Sequence, residues 1–354
     1  ERLMQATREN YLYGCTLLNL HGLYYTTHGS FWEWAPPCYH FRMPYWRHMG
    51  TFLKYFERLS YLMSQGHLVC DVAIVYPVAP FEAGLNGGKA TGTAFNTGQT
   101  LMLGGVNFEF IDANSLARAV VRNGRLEVAD ASFRALIFPS MDAVRWTSME
   151  KADAFAKAGG LVLCVGDVPV ASDRAGRNDK QLDDLVSATF PAERRLSKPA
   201  EAHSRIVQAL GFDAWGEKQK IRSLHRKVGS RDVYMVMGAD KGAAVEFRAT
   251  GKAELWDPWT GKVSPLRVLG RTDAATKVEM PLESYEAQIV VFTPGQAHVD
   301  PPAARDLAVT KIALDGEWEF QLEPTMDNRY GDFRLPAVDK TIGPEARIFR
   351  HPAE

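Results

Sequence analysis

Cys70-Asp71-Val72-Ala73-Ile74-Val75-Tyr76-Pro77 is an almost unbroken apolar run closed by a proline. Such a run reads as a strand of a parallel sheet buried on both faces, where no polar alternation is required. Three similar runs follow: Phe108-Glu109-Phe110-Ile111, Ala135-Leu136-Ile137-Phe138 and Leu161-Val162-Leu163-Cys164-Val165. Between the last two, residues 147–158 read as a helix. Thr147 is its expected N-cap, Glu150 closes a capping box, and Gly159-Gly160 terminates it. Strands alternating with helices predict an open, doubly wound, flavodoxin-like α/β domain over residues 69–210.

Upstream, the texture differs. Residues 2–14 read as a helix, followed by Thr16-Leu17-Leu18-Asn19-Leu20 continuing to Tyr25, a candidate buried strand. A loop rich in aromatics and containing Pro36-Pro37 comes next. Residues 44–64 then carry Tyr45, Met49, Phe52, Leu53, Phe56, Leu59, Leu62 and Met63 at helical spacing, with Pro44 suited to the first turn and Gly66 to the stop. Helix, strand, long loop and helix make a piece of a repeating β/α architecture, so residues 1–68 are expected to be the end of a (β/α)8 barrel.

Downstream, residues 211–295 carry short strand-like runs at 232–237, 243–248, 252–256, 277–280 and 287–293. Turns fall at Gly251, Thr260-Gly261 and Gly270. An antiparallel β-sandwich is expected there. Residues 296–354 read as a polar, proline-containing linker and the truncated start of a further β-sandwich, beginning at 312–322. The predicted fold is thus multidomain, α/β plus all-β.

Composition narrows the function classes. In 354 residues, 41 Lys and Arg balance 42 Asp and Glu, for a formal net charge of -1. That balance removes the electrostatic footprint nucleic-acid binding needs. With 46% hydrophobic and 23% charged residues, the chain lies in the globular range. No apolar stretch reaches the roughly 18 residues of a membrane span. Neither an initiator Met nor a secretion-signal pattern opens the chain at Glu1-Arg2-Leu3-Met4, and a new β unit starts just before the end. A fragment of a longer polypeptide is expected. Cys15, Cys38, Cys70 and Cys164 form no metal-binding spacing. Cys70 and Cys164 read as free buried thiols, and Cys15 and Cys38 could pair only if the fold brings them together.

Gly84-Leu85-Asn86-Gly87-Gly88-Lys89-Ala90 follows a strand and superficially resembles a phosphate loop. It fails the pattern: the first glycine position is Ala83, and Ala90 replaces the Ser or Thr after the lysine. It reads as a flexible surface loop, and no nucleotide cofactor is expected. Asp71, a lone acid at the start of a buried strand, reads as a structural hydrogen-bonder.

The denser chemistry lies in His21-Gly22-Leu23-Tyr24-Tyr25-Thr26-Thr27-His28-Gly29-Ser30-Phe31-Trp32-Glu33-Trp34. Loops after barrel strands build active sites. Aromatic faces such as Tyr25, Trp32 and Trp34 suit the C–H faces of a sugar, while His21 and His28 can bond its hydroxyls. A carboxylate between two tryptophans, Glu33, is partly desolvated, which raises its pKa toward acid/base usefulness. The competing reading packs Trp32 and Trp34 in the core and leaves Glu33 in water.

These residues, with Phe31-Trp32-Glu33-Trp34-Ala35-Pro36-Pro37, resemble the late-barrel region of family 106 glycoside hydrolases, the α-L-rhamnosidases. The helix from Pro44-Tyr45-Trp46 to Gly66 and the strand Asp71–Pro77 are similar to the same family, as are Glu254-Leu255-Trp256-Asp257-Pro258-Trp259-Thr260-Gly261 and Trp318-Glu319-Phe320. The resemblance implies an inverting acid/base hydrolysis of terminal α-L-rhamnosyl residues from a glycoside or oligosaccharide, with two carboxyl groups roughly 6.5–9.5 Å apart. It also implies a calcium ion near the sugar hydroxyls and a periplasmic or extracellular location. A complete barrel needs about 250 residues, so the partner carboxylate and most calcium ligands are expected upstream of Glu1. Glu33 is then the candidate for the remaining catalytic carboxyl, and the isolated chain is expected to be inactive. Two alternatives remain open: a non-catalytic carbohydrate-binding or scaffold module, and a barrel hydrolase resembling β-galactosidases.

Overall fold

The computed structural model describes residues 2–21, 39, 45–301, 311–317 and 319. The chain divides into two compact units. One comprises Glu1–Cys15, Met63–Asp257 and Gly261–Pro301; the other comprises Thr16–Leu62, Pro258–Thr260 and Pro302–Glu354.

The first unit is built on five parallel strands. They are β1 (Val72–Val75), β2 (Phe108–Ile111), β3 (Ala135–Phe138), β4 (Leu161–Val165) and β5 (Arg195–Leu196). Their order across the sheet is β5-β4-β3-β1-β2, with one reversal where β3 lies beside β1. Alternate residues feed two separate cores. Ala73, Val75, Leu136, Phe138, Val162 and Cys164 face one, and Val72, Ile74, Ala135, Ile137, Leu163 and Val165 face the other. Both sets are apolar because both faces are covered, which explains the continuous runs in the sequence.

Eight helices occur among the described residues: α1 (Arg2–Leu12), α2 (Met49–Ser64), α3 (Ala79–Glu82), α4 (Gly87–Leu103), α5 (Ala113–Arg118), α6 (Trp146–Lys157), α7 (Lys180–Thr189) and α8 (Pro199–Leu210). Met149 and Phe155 of α6 and Leu182 and Val186 of α7 fill the first core. Ala94 and Leu101 of α4 and Ala202 and Ile206 of α8 fill the second.

Besides two small three-stranded sheets (Val120–Arg122, Arg125–Val128 and Ala131–Phe133; Ala143–Val144, Ala171–Ser172 and Gly176–Arg177), the unit holds two larger antiparallel sheets. Their strands are β6 (Ala214–Trp215), β7 (Arg222–Val228), β8 (Arg231–Met237), β9 (Ala244–Phe247), β10 (Lys252–Trp256), β11 (Val263–Pro265), β12 (Val268–Arg271), β13 (Thr276–Glu279) and β14 (Gln288–Thr293). One sheet runs His67–Leu68, β7, β8, β14, β10, β11; the other runs β6, β9, β13, β12. Tyr234, Val236, Val290 and Phe292 meet Val245, Phe247 and Val278 in one apolar core. Every residue of β14 is buried, so this sheet is covered on its second face too. Helix α1 contributes there: Arg8 donates to Glu286 at 2.5 Å, and Arg222 of β7 pairs with Glu9 at 3.1 Å.

Several expectations need correction. Residues 16–21 form no strand, and Leu17 is 78% exposed. Apolar composition alone does not make a strand; a ladder partner is needed, and none pairs with this segment among the described residues. Of the presumed loop at 84–92, residues 87–92 are instead the opening turns of α4. Asn86 caps it by accepting from the Lys89 N–H at 3.1 Å. The Thr93, Thr97 and Thr100 hydroxyls donate back to carbonyls four residues earlier at 2.7–2.9 Å. Helix α6 starts at Trp146 without the predicted capping box; Asp173 accepts from the Trp146 N–H at 2.7 Å instead. Gly159, at φ +92°, does end it as expected. Residues 311–317 and 319 carry no strand, and the rest of the 312–322 β unit lies outside the described residues.

One chain of alternating charges joins the parallel sheet to the antiparallel one. Asp71, just before β1, takes a two-pronged bond from Arg134 (2.9 and 2.7 Å) and a third contact from Arg248 at 2.8 Å. Arg248 also meets Asp213 at 2.9 Å. Asp213 faces Nδ1 of His225 at 2.8 Å, whose Nε2 faces Asp232 at 3.0 Å, and Asp232 also receives Lys227 at 2.9 Å. Burial alone would raise the pKa of Asp71, but the bonds from Arg134 and Arg248 outweigh it and hold the carboxyl below its ordinary value. The Asp71→Ala variant leaves two arginines without their shared partner and is expected to lose about 3 kcal/mol, read as a lower urea midpoint.

His225 carries a pH signature. Both ring nitrogens face carboxylates, and both can donate only in the imidazolium. Burial opposes that charge, yet the bonds to Asp213 and Asp232 prevail and raise the pKa above its ordinary value. The resulting stabilisation is complete below the unfolded value of about 6.5 and is lost as pH rises through the higher folded value. Thermal midpoints between pH 6 and 9 should therefore fall on the alkaline side, and His225→Gln should flatten that slope.

Candidate functional site

Of the residues singled out for sugar chemistry, Tyr25, His28, Trp32, Glu33 and Trp34 lie outside the described residues, and His21 is described and exposed. The described residues of the second unit fix the helix that comes after this segment. Tyr55, Phe56 and Leu59 bury one face of α2. The Tyr55 ring lies 4.4 Å from that of Trp259, and Arg58 donates to the carbonyls of Pro258 and Trp259 at 2.9 Å each. Tyr39 packs on Phe52 at 6.1 Å, and burial raises its phenol pKa. The Pro258–Thr260 turn and α2, read separately in the sequence, are thus one packed piece.

At the carboxyl ends of the parallel strands, where open α/β sheets place ligands, a cavity of about 570 Å³ is lined by Lys89, Ser140, Asp167, Arg195 and Ser197 among others. Its polar groups satisfy one another. Lys89 of α4 pairs with Asp167. Ser140 donates to the same carboxylate at 3.0 Å and accepts from the Asp167 N–H at 3.1 Å. Bonds from Lys89 and Ser140 keep the Asp167 carboxyl below its ordinary pKa. No group here is poised as a general acid or base near neutral pH.

The buried thiols are equally inert. Cys70 and Cys164 are free, as expected; burial pushes both upward, Cys164 to about 12, so neither supplies a thiolate. Cys15 is free and exposed, and Cys38 lies outside the described residues. Among the described residues no three His, Cys, Asp or Glu side chains gather as a metal site requires, and no helix is long and apolar enough to cross a membrane.

A larger cavity, about 650 Å³, flanks the sheet edge at β2. Its walls come from α1, the His67–Leu68 strand, α4, β2 and β7, with Phe95, Asn107, Phe108, Glu109, Phe110 and Arg226 among them. The sequence marks 108–111 only as a strand. The isolated Glu109 within an otherwise apolar strand is the one local signal of anything more.

Several known proteins are similar to this chain. A protein of Formosa agariphila carried under a provisional beta-glucuronidase name is 25% identical over 269 residues, covering 70% of this chain and 21% of that protein. The solved rhamnosidase of Novosphingobium sp. PP1Y superposes with a TM-score of 0.52 at 21% identity, covering 76% of this chain and 26% of the enzyme. A beta-galactosidase from Bacillus circulans sp. alkalophilus gives a TM-score of 0.43 at 10% identity, covering 70% of this chain and 45% of that one. The chain thus spans about a fifth to a quarter of the length of the first two. Residues 38–268 match the family 106 glycoside hydrolases, described as alpha-L-rhamnosidase, and the chain belongs to that family.

Proposed function

We propose that this chain is part of a glycoside hydrolase that removes terminal α-L-rhamnosyl residues from glycans by inversion. The observation that carries the reading is the family match over residues 38–268, which includes α2, the parallel sheet and most strands of the antiparallel sheets. In this reading residues 1–68 are the end of the catalytic barrel, and residues 69–354 are accessory. Glu33 supplies one of the two carboxyl groups, with Trp32 and Trp34 excluding water around it and raising its pKa. Tyr25 and the tryptophans stack on the sugar, and His21 and His28 bond its hydroxyls. Inversion requires a second carboxyl group roughly 6.5–9.5 Å away, with a water between.

Among the described residues no donor cluster fits the calcium that the family resemblance implies. A barrel of about 250 residues does not fit in 68, and the chain spans a quarter of the Novosphingobium enzyme. We therefore infer that the chain alone does not hydrolyse. A second sugar is favoured by one observation: the Formosa relative is named for glucuronides. Sugar choice is set by the loops around the reacting ring, so both glycosides belong in the test.

In the full-length enzyme, Glu33→Gln is expected to lower kcat on p-nitrophenyl α-L-rhamnoside by about 10²–10⁴ with little change in KM. An unchanged kcat removes Glu33 from the mechanism. The 354-residue chain alone should release no nitrophenol from the rhamnoside or from the β-glucuronide, and release from either shows that the barrel is complete without further chain.

A further inference from the structure

The cavity beside β2 has features that folding alone does not account for. It is about 650 Å³, within the roughly 300–1,000 Å³ of small-molecule sites. The strand β2 is the last in its sheet, paired only with β1, so one edge borders the cavity. Phe95 of α4 is 51% exposed and Phe110 is 37% exposed. Their rings meet edge to face at 5.4 Å, and Phe110 meets Phe108 in the same way at 5.3 Å. Three phenylalanines are thus held in fixed orientations, two of them in contact with water. A glycine makes this possible: a Cβ at Gly98 would sit 2.4 Å from the Phe108 ring.

Polar groups line the same space. The Asn107 amide nitrogen is buried and has no hydrogen-bond partner. A buried amide left unpaired costs about 1–3 kcal/mol, and the cavity it borders offers room for an acceptor. Glu109, next but one along the strand, forms no ion pair or hydrogen bond among the described residues. Its carboxyl pKa is raised by burial despite the pull of Arg226. Arg226 uses Nε and one Nη on the carbonyls of Gln65 and Gly66 (2.6 and 2.9 Å), which tethers the guanidinium beside the cavity.

We propose that this cavity is a second, non-catalytic sugar site that holds a neutral pyranose unit of the glycan. A hydroxyl both donates and accepts, so it can bond the Glu109 carboxylate and the Asn107 amide together. The C–H face of the ring lies on Phe95 and Phe110. A purely apolar ligand would leave the amide and the carboxylate unpaired, and an anionic one would meet Glu109. The choice of sugar as ligand rests on the family reading, but its test is equilibrium binding, which does not depend on Glu33 or on hydrolysis.

Titration calorimetry of the full 354-residue chain with methyl α-L-rhamnopyranoside should give saturable binding. Phe95→Ala removes one stacking face and should weaken it about tenfold. Glu109→Gln should weaken it similarly, and the thermal midpoint of each variant checks that the fold is retained. No saturable binding, affinities untouched by both substitutions, or tighter binding of D-glucuronate than of the neutral sugar would each overturn the assignment. An unchanged kcat of Glu33→Gln in the full-length enzyme, with binding here intact, would remove the catalytic role of Glu33 and leave this site standing.

Discussion

Asp71 sits where two kinds of sheet must be joined, and among the described residues its carboxylate is the only acidic group that touches arginines from both. Arg134 precedes β3 of the parallel sheet, and Arg248 follows β9 of the antiparallel one. Neither guanidinium could be partly buried there without a counter-charge. From Arg248 the alternation runs through Asp213, His225 and Asp232 to Lys227, so each charge is paired with its neighbours along the chain. His225 is also stacked on Tyr234 at 3.9 Å, its cross-strand partner, which places the ring between the two acids. Such a chain gains little over an apolar interface of equal volume, but breaking any link is costly.

The sequence is legible where burial is symmetrical. The strands at 135–138 and 161–165 are found at the residues expected because both faces are covered and nearly every position is apolar; 108–111 is found there too, as a partly exposed edge strand. It is illegible where partners come from afar. Strand β7 reads Arg222-Ser223-Leu224-His225-Arg226-Lys227-Val228, a solvent-facing pattern, yet Arg222, His225, Arg226 and Lys227 are all engaged by acids or carbonyls outside the strand. Helix α4 is hidden by its glycines and threonines, which weaken helix propensity but allow Phe108 to lie against Gly98.

The functional chemistry divides along the same line. The aromatic segment around Glu33 stands out because it is contiguous, and its residues lie outside those described. The β2 cavity draws on residues from Leu12 to Arg226, contributed by five separate elements, the His67–Leu68 strand among them. No local motif announces it, since each contributor has an ordinary role in its own helix or strand.

Helix α6 has a cap that is not its own. Its first N–H is met by Asp173, 27 positions on, and Arg145 just before the helix bonds that same carboxylate and Glu82. A capping box forms as soon as its own turn does; this contact requires a loop to close first, at an entropic cost that grows with loop length. The first turn of α6 therefore depends on the loop that carries Asp173, and a change in that loop reaches a helix 27 positions away in sequence.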